Sequence, residues 1–161
     1  MRHLKRKFNA PMKPWEKQRI LEENALIKEY AYKNKKELWK TKSKVGRLRA
    51  FAKKLVSISN AQQAKEKDEF IKAVNKKGLV NDKAEVEDVL ALNVRDMSER
   101  RLQTLVFKKG LAKTPKQARQ FIVHGHVFVN NKKITSPSTI VLKKEEDLIK
   151  LKGVSPVEEK K

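Results

Sequence analysis

The sequence predicts an α+β fold: a helical N-terminal domain with a basic extended arm, followed by a two-helix plus small antiparallel sheet module. Three observations lead there. Apolar residues recur at helical spacing as far as about residue 95. Gly110, Thr114-Pro115 and Gly125 then punctuate two short helices. Beyond Gly125, short β-branched runs flank an Asn130-Asn131 pair, the pattern of a hairpin.

Residues 1–14 carry Arg2, Lys5, Arg6, Lys7 and Lys13 with prolines at 11 and 14 and no periodicity. They read as an arm that orders only on its partner. The helical domain spans residues 15–95. From Trp15 to Tyr32, Ile20, Leu21, Asn24, Ile27 and Ala31 fall on one helical face, with Glu16 in the first turn where the helix dipole favours it. A second helix is expected from Lys35 to Ser43, held by Leu38 and Trp39. A third runs to Ile58, with Leu48, Phe51, Ala52 and Leu55 buried and Lys44, Arg47 and Lys54 off the stripe. Asn60 and Gln63 form a capping-box pattern before a helix carrying Ala64, Phe70, Ile71 and Val74, ended by Gly78. One helical turn around Val86–Leu90 leads onward. Trp15 and Trp39 read as core anchors.

The C-terminal module spans residues 96–152. A helix starting between Asn93 and Ser98 buries Leu102, Leu105 and Val106 and stops at Gly110. Thr114 supplies an N-cap hydroxyl, Pro115 an N1 proline and Gln117 a capping-box amide, so a second helix starts there. It buries Ala118, Phe121 and Ile122 and ends at Gly125, where a left-handed cap is expected. Val127–Val129 and Lys132–Ile134 form the hairpin, and Ile140–Leu142 and Leu148–Leu151 complete the sheet. Residues 153–161 read as a flexible tail.

Charge then narrows the function. The 161 residues include 40 Lys and Arg against 19 Asp and Glu, a net +21. Residues 1–60 hold 18 cations against 5 carboxylates, residues 61–95 hold 7 of each, and residues 96–152 hold 13 against 5. Two basic regions therefore flank a neutral one, and a polyanion is the expected partner. The absence of cysteine excludes disulfides and thiolate zinc sites and fits a reducing interior. No apolar run nears the roughly 18 residues of a membrane span, and the start lacks a signal-peptide core, so a soluble intracellular protein is expected. No phosphate loop, dinucleotide fingerprint or nucleophile arrangement suggests an enzyme or a bound cofactor.

Specific residues now carry a resemblance. Glu99-Arg100-Arg101-Leu102-Gln103-Thr104-Leu105-Val106, Lys109-Gly110-Leu111-Ala112, Gln117-Ala118-Arg119, His124-Gly125-His126-Val127, Val129-Asn130 and Pro137-Ser138 resemble the RNA-binding domain named after ribosomal protein S four. Pro14-Trp15-Glu16, Arg19-Ile20, Glu22-Glu23 and Lys33–Lys40 are similar to the archaeal and eukaryotic members of that ribosomal family. Asn130-Asn131 departs from the usual Asn-Gly of the hairpin. The resemblance implies a structural component of the small ribosomal subunit, cytoplasmic and not a homo-oligomer. It would bind small-subunit ribosomal RNA, organise a multi-helix junction during assembly, adjoin other ribosomal proteins, and lie near the path by which messenger RNA enters.

The residues expected to meet RNA are Arg100, Arg101, Lys108, Lys109, Lys116, Arg119, Gln120, His124, Gly125, His126, Lys132 and Lys133 in the C-terminal module. To these the N-terminal half adds Arg2, Lys5, Arg6, Lys7, Lys35, Lys36, Lys40, Lys44, Arg47, Arg49 and Lys54. Lys116, Arg119 and Gln120 fall off the apolar face of their helix, and Arg100 and Arg101 begin theirs outside its stripe. Guanidinium and ammonium groups neutralise phosphates and release counterions, and scarce aromatics favour reading of shape over base stacking. His124 and His126 lack a third metal ligand and read as capping or phosphate-contacting imidazoles. Two other readings stay open: a helix-turn-helix DNA binder, and a free-standing RNA-handling or ribosome-rescue factor.

Overall fold

The computed structural model describes residues 7–57, 61–81 and 84–153; Arg2, Lys5, Arg6, Ile58, Asn60 and most of the tail lie outside them. Helix α1 spans Lys17–Glu29, α2 Lys35–Ser57, α3 Ala61–Lys76, α4 Val86–Ala91, α5 Val94–Glu99, α6 Leu102–Lys108 and α7 Pro115–His124. Strands β1 (Val127–Val129), β2 (Lys132–Lys133) and β3 (Ile149–Leu151) form an antiparallel sheet in the order β2-β1-β3, with a 3-10 helix over Lys143–Leu148 before β3.

Helix α2 is the spine, and it runs unbroken where the sequence suggests a break after Ser43. Leu38, Thr41, Val45, Leu48, Ala52 and Leu55 continue one 3-4 spacing straight through Gly46. A Cβ at Gly46 would meet nothing within 4 Å, so this glycine costs only its propensity, about 1 kcal/mol, and the continuous apolar stripe outweighs it. Val45, Ala52 and Leu55 pack with Val74, Val86, Val89 and Leu92 into one core that also takes in Met97 of α5 and Ile140. Packing thus crosses the boundary that the sequence suggests at residue 95. Phe51, expected in the stripe, is 43% exposed and meets Phe70 edge-on at 4.9 Å.

Helix α1 is weakly amphipathic. It stops at Tyr30 because Ala31 adopts φ 47°, and Leu21, expected inside, is exposed. Trp15 is 89% exposed, not the core anchor its size suggests; Trp39 keeps the anchoring role and donates to Glu23 at 3.0 Å. The arm is not wholly dependent on a partner. Asn9 N–H donates to Ser43 Oγ at 3.0 Å, Phe8 faces Trp39, and Arg19 donates to the carbonyls of Lys13 and Pro14, so residues 8–14 lie on α1 and α2.

The expected long helix after Asn93 divides into α5 and α6 at Arg100-Arg101. The break is stabilised from outside: the first N–H groups of α6, on Leu102 and Gln103, donate to the carbonyls of Thr139 and Pro137. Helix α7 begins as its sequence demands, with Gln117 N–H on Thr114 Oγ at 3.2 Å, and ends at Gly125 with φ 79°. Asn130 (φ 50°) and Asn131 (φ 61°) both take the left-handed conformation of a type I′ hairpin, so the departure from Asn-Gly leaves the turn intact. Ile140 pairs with Arg101 instead of joining the sheet, while Val141 enters the core of Leu102, Val106, Ile122, Val127 and Ile149.

Candidate nucleic-acid interface

The structure sorts the expected cations into those spent internally and those presented outward. Arg101 belongs to the first group. It is only 2% exposed, lies 4.0 Å over the Tyr32 ring and reaches Glu37 at 3.5 Å. It sits at the α5–α6 break, where the chain turns inward, and so does not lie outside the apolar stripe as a continuous helix would place it. Arg100 is also turned inward: it donates to the Lys77 carbonyl at 3.1 Å and to Glu146 at 2.8 Å. Arg119 flanks the outward face of α7 but is held by Glu37 in a bidentate pair at 2.7 and 3.2 Å. Arg49 donates to the Leu92 carbonyl and to Asn93 Oδ1, fastening α2 to the α4–α5 junction.

Glu37 is therefore a hub that sequence reasoning passed over as one more helix carboxylate. It joins α2 to α7 and to the α5–α6 break, and it also accepts from Lys33 N–H at 3.3 Å. Burial alone would raise its pKa, but the hydrogen bond and charge of Arg119, the Lys33 amide and Arg101 hold it below the ordinary 4.5. Gln103, fully buried, adds a second tie by donating to the carbonyls of Ala31 and Pro115. A polar pair, Gln103-Thr104, within the otherwise apolar Leu102–Phe107 stretch was the available signal.

Two outward stripes remain. On α2, Lys36, Lys40, Lys44 and Arg47 recur at 3-4 spacing beside the apolar stripe, Lys54 follows two turns later, and all five are exposed. On α7, Lys116, Gln120 and His124 stand one turn apart and are exposed. Lys132 and Lys133 extend the second stripe onto the hairpin. Gly125 does not present its backbone: it is buried, and a Cβ there would fall 1.9 Å from the Lys133 side chain that covers it. His126 is half-buried, edge-on to Phe121, with its ring centre 6.4 Å from that of His124. Lys7 is exposed, whereas Lys35 leans on Glu23 at 3.6 Å. Lys108 and Lys109 make surface pairs with Glu99 and Asp147, contacts worth at most about 1 kcal/mol and easily exchanged for phosphate.

The Glu37–Arg119 contact fixes α2 against α7, so the two stripes have a set relation. That contact also weighs against a major-groove DNA reader, since the guanidinium such a helix would insert is already engaged. The described residues contain no group of three or more His, Asp or Glu side chains able to hold a metal, and no helix among them is long and apolar enough to cross a membrane.

Residues 100–149 match the S4 domain. Over nearly the whole chain, the sequence is also similar to small ribosomal subunit proteins uS4 of archaea. That of Nanoarchaeum equitans is 47% identical over 95% of this chain and 86% of its own length. That of Methanococcus aeolicus is 47% identical over 97% of this chain and 89% of its own. The chain belongs to the uS4 family. A third relative, uS4 of Methanothermobacter thermautotrophicus, is 42% identical over 97% of this chain and 91% of its own length. The uS4 match thus extends well beyond the S4 domain into the helical N-terminal half of the chain.

Proposed function

We propose that this uS4-family chain is a structural constituent of the small ribosomal subunit, in the cytoplasmic ribosome, where it binds small-subunit ribosomal RNA and catalyses nothing. The observation that carries the proposal is the pair of cation stripes on α2 and α7, borne on helices that Glu37 joins directly, with Gln103 tying the turn before α2 at Ala31 to the start of α7 at Pro115. Two basic faces in fixed relation suit two RNA helices that must meet at a set angle. The chain acts by organising a multi-helix junction during assembly. It adjoins other small-subunit proteins and lies near the path by which messenger RNA enters.

Recognition is by shape and backbone. Lysines on stiff helices meet phosphates, and Gln120 and His124 add hydrogen bonds. Exchanging Lys36, Lys40 and Lys116 together for Ala is expected to lower affinity for a small-subunit ribosomal RNA transcript at least about tenfold. The slope of log K against log salt should shrink by roughly two to three. Filter-binding titrations over a salt series read both; an unchanged slope would remove these residues from the interface. Sedimentation with the small subunit through a high-salt wash distinguishes a constitutive component from a transient RNA-handling factor.

A further inference from the structure

A cleft opens where α2, the end of α3 and the loop after β2 converge. Lys44, Arg47 and Lys77 line it together with Ser136, Ser138 and Thr139, and no carboxylate does. Its floor is apolar, formed by Leu48, Met97 and Ile140. We propose that this cleft seats one backbone phosphate of RNA, clamped between the cations of the helical half and the hydroxyls of the C-terminal module. The proposal rests on the RNA-binding reading above and adds to it a place and four ligand groups, Lys77 and the three hydroxyls, that the cation stripes do not contain.

The loop is built to show hydroxyls. The Pro137 and Thr139 carbonyls accept from α6 N–H groups and the Ser136 carbonyl from Thr139 N–H, so these acceptors are already occupied. Ser136 Oγ and Ser138 Oγ lie 3.3 Å apart, sharing one hydrogen bond that an anion between them would replace with two. The facing charge is uncompensated. Among the described residues Lys44 has no carboxylate partner, and its pKa is held below the ordinary 10.5 by burial first and then by Arg47, Arg101, Lys77 and Lys40. Behind this group lies Arg101, with Nη1 buried and without a hydrogen-bond partner. A bound anion relieves this repulsion. The charge exceeds what a single peptide carboxylate needs, and it continues along α2 to Lys40 and Lys36, the arrangement a polyphosphate backbone follows.

The test uses the full chain, a small-subunit ribosomal RNA transcript and a salt series. Lys77→Ala should weaken binding several-fold and reduce the salt slope by about one. The double change Ser136→Ala with Ser138→Ala should weaken binding roughly tenfold and leave the slope alone, because hydroxyls carry no charge. Thermal melts of both variants should overlay the wild type, which separates lost contacts from lost structure. If both variants bind as the wild type does while the Lys36, Lys40 and Lys116 triple variant loses affinity, the seat is refuted and the RNA-binding surface stands. If the wild type itself fails to bind the transcript, both fall together.

Discussion

Glu37→Gln is expected to lower stability by about 3 kcal/mol, and so Tm by roughly 6–12 °C for a chain of this size. The change keeps the shape of the side chain and removes its charge. Arg101, buried at 2% exposure, then faces Tyr32 without its anion, and Arg119 loses a bidentate partner. The estimate is at the low end for breaking a buried pair because the Glu37 side chain is itself 22% exposed. Acid should do to the wild type what the mutation does at neutral pH. The folded pKa of Glu37 is lowered, so its contribution is complete above the ordinary 4.5 and is lost as pH falls below that value through the folded one. Glu23 acts in the same sense: burial opposes its charge, but hydrogen bonds from Trp39 and Arg19 prevail and lower its pKa. Thermal melts of wild type and variant across this range provide the check. The two curves should converge as pH drops, and a stability gap that persists at low pH would show that Glu37 is not the hub.

Ile122→Ala should cost about 3 to 4 kcal/mol. Ile122 is fully buried at the centre of the C-terminal core, where α7 meets α6, β1 and Val141. Truncation removes three carbons from a site that neighbouring helices and strands hold open, so transfer and cavity contributions add. The effect on RNA binding should be small at temperatures where the variant stays folded, since Lys116 and Gln120 project from the opposite side of α7. Urea unfolding followed by circular dichroism measures the first effect and filter binding the second. A loss below about 1 kcal/mol would mean that the α7 core collapses readily around the gap.

How much of this was legible before folding depended on whether the signal was local. Helix α7 could be placed from Thr114, Pro115 and Gly125 alone, because each acts within a few residues of itself. The hairpin was visible in Asn130-Asn131 for the same reason. The break between α5 and α6 was not, since it depends on Thr139 and Pro137, more than thirty residues away, accepting from α6. Gly46 misled because glycine weakens a helix without ending one when a packed stripe runs through it. The cations show the same division. Helical spacing put Lys116 and Gln120 outside correctly, and put Arg119 outside and available with them. It could not reveal that Glu37, 82 positions earlier, would claim Arg119, or that Arg101 would turn inward onto Tyr32. Partnering between distant charges is a tertiary property, and periodicity carries no trace of it.

Lysine acetylation of the free chain and of the chain bound to small-subunit ribosomal RNA, quantified residue by residue by mass spectrometry, tests the proposed surface most directly. Lys36, Lys40, Lys44, Lys116 and Lys132 should lose reactivity on binding, while Lys65 and Lys72 on α3, where three carboxylates offset four lysines, should react as before. Equal protection of α3 and the two stripes, or none at any position, would contradict an RNA interface on α2 and α7.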